Sequence, residues 1–420
     1  MERQGAIEQR LAKRHLRTGG RVLYDLSSSY FEGVHCPLAR RGYSRDGKKG
    51  KLQVNYGLLT DGQGCPVALS VFEGNVSDPQ TLLPALEKLQ SSFALESVVL
   101  VGDRGMISQK QVAALAEREG VQWITALKSG AIRKLADAQV IQMDLFDERN
   151  LYTFSHEDFP GERLIACRNP SLARLRTHKR EALLAATEQE LAVVQRMVGN
   201  GRLKDPDKIG VRVGRVLNKY KMAKHFVLDI AEQHFTFHID AGKVAEEAAL
   251  DGLYVIRTSL NEQQLDSDET VRHYKGLSRV ESAFRHLKSA DLRIRPIHHF
   301  SADRVRAHLF LCMLAYYVQW HMDEAWRALL FADEDQQRLA DRDPVAPATR
   351  SDKALEKALS KRLEDDSPAH SFRTLLNELN GIVRNTCRRQ HGAEVLVFTI
   401  DTTPNAKQTE ALKLIDSIRL

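Results

Sequence analysis

Apolar positions in the first 127 residues come in strand-length runs separated by turn residues. A basic helical stretch over residues 2–17 ends at Gly19-Gly20. Arg21 to Ser27 (RVLYDLS) follows, rich in β-formers. A period of two sends Val22, Tyr24 and Leu26 to one face and Leu23, Asp25 and Ser27 to the other. Lys51 to Leu59 and Cys65 to Val71 read as a hairpin turning at Thr60 to Gly64. Ser77 or Asp78 then caps a helix with Pro79 in its first turn. Ser97 to Asp103 (SVVLVGD) is a continuous apolar run, the mark of an interior strand. A helix over Gln109 to Glu119 and a strand over Val121 to Leu127 complete the unit.

Helical spacing takes over further along. Tyr274 to Lys288 (YKGLSRVESAFRHLK) places Leu277, Val280, Phe284 and Leu287 on one stripe of an amphipathic helix. At about 100° per residue, Tyr274, Glu281, Arg285 and Lys288 share a sector beside that stripe. Between Asp103 and Glu281 lie a helix over Glu181 to Met197, a polar linker over Gly199 to Asp207, paired strands at His225 to Asp229 and His234 to Ile239, and a strand over Gly252 to Arg257. The interval is too long for a simple connection, so 136–253 reads as an α+β insertion. The expected organisation is a short basic helix (1–20), a first catalytic segment (21–135), the insertion (136–253), a second catalytic segment (254–325) and a mainly helical C-terminal region (326–420). Within that last region, 330–370 reads as a partly flexible connection ahead of a final helix and a strand over Glu394 to Ile400.

Composition narrows the class. The 420 residues are 43 % hydrophobic and 28 % charged, ordinary for a globular chain. No apolar run is long enough to span a membrane, and the N-terminus has no secretory h-region, so a cytoplasmic protein is expected. Five scattered cysteines without a CxxC argue against a disulfide framework or a structural zinc site. There is no P-loop, GxSxG or zinc-finger spacing. The net charge of +6 is mild, but residues 272–306 are strongly basic, and Arg40 to Lys51 (RRGYSRDGKKGK) forms a second cluster containing Arg45, Lys48 and Lys49. Two such clusters around acids suggest a bound polyanion.

Three acids hold the candidate chemistry. Asp25 lies inside a strand, where carboxylates are disfavoured. Asp103 closes a buried strand and is followed by Arg104, at the end where α/β sheets gather their chemistry. Glu281 sits at the edge of a core-facing helix. The order β-β-β-α-β-α-β matches a ribonuclease-H-like mixed sheet, in which the first and fourth strands are neighbours and Asp25 and Asp103 come together. Three carboxylates suit hard divalent cations.

These stretches resemble the DDE transposases of bacterial insertion sequences, in the branch with a β-rich insertion before the Glu. That branch's Tyr-x2-Arg-x3-Glu-x6-Lys signature maps to Tyr274, Leu277 in place of Arg, Glu281 and Lys288. Arg279 or Arg285 stands near enough to supply the missing cation. The contexts YDLSSSYFEG and VGDRGM also fit. The resemblance implies metal-dependent DNA cleavage and strand transfer with two Mg²⁺ or Mn²⁺, Asp25 bridging both ions while Asp103 and Glu281 hold one each. It further implies DNA contacts through Tyr274, Arg279, Arg285 and Lys288, double-stranded DNA as partner and a homodimer in the synaptic complex. Relatives have a DNA-binding region ahead of the first Asp, so an N-terminally shortened member is expected. Alternative readings are another ribonuclease-H-like nuclease and a non-catalytic DNA-binding remnant of a mobile element.

Overall fold

The computed structural model describes residues 3–142, 145–391 and 394–418. The chain divides into two compact units, one of residues 1–125, 272–342 and 348–420, the other of 126–271 and 343–347. The first unit opens with α1 (Gln4–His15), β1 (Arg21–Tyr30), β2 (Gln53–Asp61), β3 (Pro66–Glu73), α2 (Asp78–Glu87), β4 (Val98–Val101), α3 (Gln109–Ala116) and β5 (Val121–Ala126). Residue 2 of the expected first helix lies outside the described residues. The strands lie in the order β3-β2-β1-β4-β5. β1 is antiparallel to β2 and parallel to β4, and β4 is parallel to β5. This is the mixed sheet of a ribonuclease-H-like fold.

β1 holds the centre because both its faces are covered. On one, the Tyr24 hydroxyl donates to the Thr81 carbonyl of α2 at 3.2 Å. The Tyr24 ring passes over Gly57, opposite Leu26 on β2, where a Cβ would come 2.7 Å from Cε2. A side chain at 57 would therefore displace the ring. α2 begins with a capping box between Ser77 and Gln80, with Pro in its first turn, which satisfies amides the helix cannot bond internally.

The second unit contains α4 (Ser129–Asp137), β6 (Leu151–Phe154), β7 (Arg163–Arg168), α5 (Pro170–Gly199), α6 (Pro206–Tyr220), β8 (Phe226–Ala231), β9 (His234–Ile239), α7 (Ala241–Ala248) and β10 (Leu253–Thr258). β7 pairs antiparallel with both β10 and β6. One core joins Leu127, Ile132 and Leu135 to Leu164, Leu253 and Val255. Those contacts put the unit's boundary at 126, ahead of the expected 136. A second core packs α5 and α6 on the β8-β9 hairpin through Leu191, Val194, Ile209, Val213 and Phe235. The Arg257 guanidinium and the Glu162 carboxylate form a bidentate pair, with side chains only 6 % and 4 % exposed.

The chain then forms α8 (Ser267–Lys275), α9 (Leu277–Leu287), α10 (Ala302–Ala325), α11 (Gln336–Asp341), α12 (Asp352–Ser360), α13 (Phe372–Leu379), β11 (Arg384–His391), β12 (Glu394–Asp401) and α14 (Ala406–Asp416). The single helix expected over Tyr274 to Lys288 is two helices, separated at Gly276. Glycine's entropic cost inside a helix favours a break there. The stretch 330–370 contains α11 and α12. Trp326 is fully buried against Leu329, Leu330, Leu375 and Ala411, and its Nε1 donates to the Ala411 carbonyl at 2.9 Å. The C-terminal region also holds a β hairpin, β11-β12.

Candidate active site

The parallel β1-β4 ladder ends two residues short of each of the first two acids. Leu23 of β1 is registered with Val101 of β4. Asp25 stands two residues further along β1, on the same face as Leu23, and Asp103 stands two residues past Val101, in the turn that follows β4. Asp25 is half-buried, and its Oδ1 accepts from the Leu26 N–H at 2.8 Å. Beyond the end of β4, Asp103 Oδ1 accepts from the N–H groups of Gly105 (3.0 Å) and Met106 (2.7 Å). The chain turn itself aims the carboxylate.

The third acid arrives on α9, whose buried stripe is Leu277, Val280, Ala283, Phe284 and Leu287. The Phe284 ring meets Tyr56 of β2 edge-on, 5.8 Å between centroids. Tyr56 pairs across the sheet with Ser27, so α9 covers the Asp25 face and not the Tyr24 face. Glu281 is exposed on α9, and its charge, like that of Asp103, acts on Asp25. Burial pushes the Asp25 carboxyl up to about 7, with repulsion from Asp103 and Glu281 added and the Leu26 N–H and Arg45 opposing. Burial also pushes the Tyr274 phenol up to about 12, with Asp103 and Glu281 contributing and Arg104 opposing.

Three hard oxygen donors that repel one another match the needs of divalent cations such as Mg²⁺ or Mn²⁺. Among the described residues, the trio of His, Cys, Asp or Glu whose ligand atoms all come within 4.8 Å is a different one, His15, Cys65 and His321.

The expected cations are placed unevenly. Arg104 and Arg285 are exposed. The Arg45 side chain pairs with Asp78, and its backbone N–H donates to Ser28 Oγ at 3.0 Å. Lys48 and Lys49 are exposed on the loop ahead of β2, Lys48 lying 5.8 Å from the Tyr30 ring centroid. Arg279 turns to the β2-β3 connection, where its guanidinium donates to the Gly62 carbonyl. Leu277, at the signature's Arg position, faces the core. Lys288 pairs at 2.8 Å with Asp46, whose side chain is 1 % exposed and which also binds Arg295 at 2.6 Å and the Tyr30 N–H at 3.1 Å. Sequence reasoning missed Asp46. Its signal was a lone acid inside the basic run RRGYSRDGKKGK.

The family described as Transposase DDE domain matches residues 33–318, a span that includes Asp103 and Glu281 and starts just after Asp25. A solved structure described as a cryo-EM structure of piggyBac transposase synaptic complex with hairpin DNA is similar over 82 % of this chain and 62 % of that chain, at 9 % identity and a TM-score of 0.37. The chain thus spans less than two thirds of that structure's length. A search of curated proteins found no match.

Proposed function

The chain belongs to the family of transposases with a DDE domain, and from that premise we propose that Asp25, Asp103 and Glu281 are its catalytic carboxylates. In this reading they act with two Mg²⁺ or Mn²⁺ on double-stranded DNA, as the transposase of a bacterial insertion sequence. The observation that supports it is that the charges of Asp103 and Glu281 both act on Asp25, with β1 and β4 paired in parallel just ahead of the two Asp and α9 over the Asp25 face of β1. Asp25, Asp103 and Glu281 would together hold the ions. When bound, such ions acidify an attacking water and stabilise the leaving oxygen of a phosphodiester.

The chain's own groups orient and exclude. The N–H groups of Gly105 and Met106 hold Asp103, and the Leu26 N–H holds Asp25. The Tyr274 phenol, protonated at neutral pH, donates to a phosphate oxygen. Arg104, Arg285 and Arg45 line the backbone path, with Lys48 and Lys49 extending it. Lys288, committed to Asp46, anchors that basic loop to the Glu281 helix, and Arg279 anchors the β2-β3 turn. DNA affinity falls as salt rises. Two copies act together on the two element ends, in a bacterial cytoplasm.

The test is nicking of DNA that bears the flanking element ends, with and without Mg²⁺ or Mn²⁺, using wild type beside Glu281→Ala and Asp103→Asn. Metal-dependent nicking lost in both variants, with DNA binding kept, supports the reading. Nicking that survives either substitution removes that residue from the site. Binding without metal-dependent cleavage in the wild type overturns the enzymatic reading.

A further inference from the structure

Three side chains far apart in sequence meet on one side of the first unit: His15 at the end of α1, Cys65 just ahead of β3, and His321 on α10. Their ligand atoms all lie within 4.8 Å of one another. Cys65 Sγ is 3.9 Å from His15 Nε2. The Cys65 residue is fully buried, while the two histidines are half-buried. Its place is fixed by the turn before it, since Asp61 Oδ1 accepts from the Cys65 N–H at 2.9 Å and the Asp61 N–H donates to the Cys65 carbonyl at 3.0 Å.

We propose that His15, Cys65 and His321 form a Zn²⁺ site, separate from the three carboxylates, that pins α1 to the β2-β3 turn and α10. One thiolate and two imidazoles are the borderline-soft donors that select zinc over magnesium or calcium. Ordinary Zn–S and Zn–N bond lengths put tetrahedral ligand atoms about 3.3–3.6 Å apart. The trio reaches that spacing by closing about 1 Å, a rotamer-scale adjustment. The Tyr317 hydroxyl, 3.0 Å from His15 Nε2, is an oxygen within reach as a fourth ligand or as its hydrogen-bond partner.

A second observation points to a ligand. The Nε2 atom of His321 is buried and has no hydrogen-bond partner, in a setting where buried nitrogens ordinarily find one. The neighbouring rings do not satisfy it. Tyr317 meets His321 edge-on at 4.6 Å between centroids, and His15 lies 5.5 Å from His321. Arg14 and Glu324 both act on the His321 ring, one charge of each sign. Mere packing of aromatic rings around a thiol would leave that nitrogen orphaned, whereas a metal ion satisfies it. Lack of a CxxC hid the site from sequence reading, because its ligands come from three elements joined only by the fold.

The test titrates full-length, chelator-stripped protein with Co²⁺ alone, followed by Zn²⁺. One equivalent should produce a thiolate-to-cobalt charge-transfer band, to which oxygen-only ligands do not contribute, and Zn²⁺ should bleach it. Cys65→Ser should abolish the band and Cys312→Ser should keep it. His321→Ala should weaken Co²⁺ binding at least tenfold and remove the rise in Tm that Zn²⁺ gives the wild type. His321→Ala keeps the question open to test should Cys65→Ser fail to fold. No charge-transfer band in the wild type, a band that persists in Cys65→Ser, or unchanged affinity in His321→Ala would each overturn the proposal.

Discussion

Lys288, at the C-terminal end of the Glu281 helix, holds its ammonium 2.8 Å from Oδ1 of Asp46, a buried acid in the loop ahead of β2. Arg295 shares the same oxygen at 2.6 Å. One anion thus ties two cations and the basic loop to the helix that brings the third acid. Asp46→Ala leaves both cations uncompensated and should destabilise the first unit by on the order of 3 kcal/mol. Asp46→Asn keeps an oxygen for the Tyr30 N–H and should cost less. Urea unfolding of the two variants checks the ranking. Equal stability of Asp46→Ala and wild type would remove the anchoring role.

The acid cluster makes metal-free protein sensitive to pH. Unfolded Asp titrates near 3.9, whereas folded Asp25 titrates at about 7 because of burial and its acidic neighbours. The folded state holds that proton more tightly. Its contribution to stability is therefore fully present below about pH 4 and is lost as pH rises through 7, a loss on the order of a few kcal/mol. In chelator, the urea midpoint of wild type should fall over that window while Asp25→Asn stays flatter. Mg²⁺ at neutral pH should recover the wild type and not the variant. A wild-type profile as flat as that of Asp25→Asn would refute the electrostatic account.

In the second unit, Glu162 and Arg257 are paired and almost wholly buried. Glu162→Ala removes the paired carboxylate from a buried guanidinium and should cost about 3–5 kcal/mol, whereas replacing both residues with methionine should come close to neutral. Thermal melts of the single and double variants distinguish the two outcomes. A double variant as damaged as the single would mean that packing, rather than charge, dominates.

The crossing of Tyr24 over Gly57 predicts a coupled pair. Gly57→Ala drives a methyl into the ring and should lower stability by about 1–3 kcal/mol. Tyr24→Leu removes the clashing atoms, so the double variant should lose less than the sum of the singles. A double-mutant cycle by chemical denaturation gives the answer directly, and strict additivity would contradict the clash.

The strands around Asp25 and Asp103 were legible because their signals are local. A run of β-formers marks β1, and a continuous apolar run marks β4. The capping of α2 at Ser77 was equally plain, since cap and turn residues sit side by side. Short β6 and β7 escaped, as did the full length of α5, because little in their own residues distinguishes strand from loop or signals where a helix begins. Pattern reading joined Tyr274 to Glu281 in one helix because Tyr274 falls in the same helical sector as Glu281, although the apolar stripe begins only at Leu277, and the backbone path shows the break at Gly276. Asp46 and the His15, Cys65 and His321 trio are tertiary facts, made by contacts between residues that share no local pattern.

The divided layout of the first unit also sets a timetable. Asp25 and Asp103 belong to its opening 125 residues, and Glu281 returns only after 272. At ordinary elongation rates, the 178 residues from Asp103 to Glu281 take about 10–35 s to synthesise. Throughout that interval the face of β1 and β2 that will receive Phe284 has no α9 over it. A nascent chain therefore leaves the ribosome with two of the proposed carboxylates in place and the third still to come, and under the proposed assignment the site is incomplete until most of the polypeptide has been made.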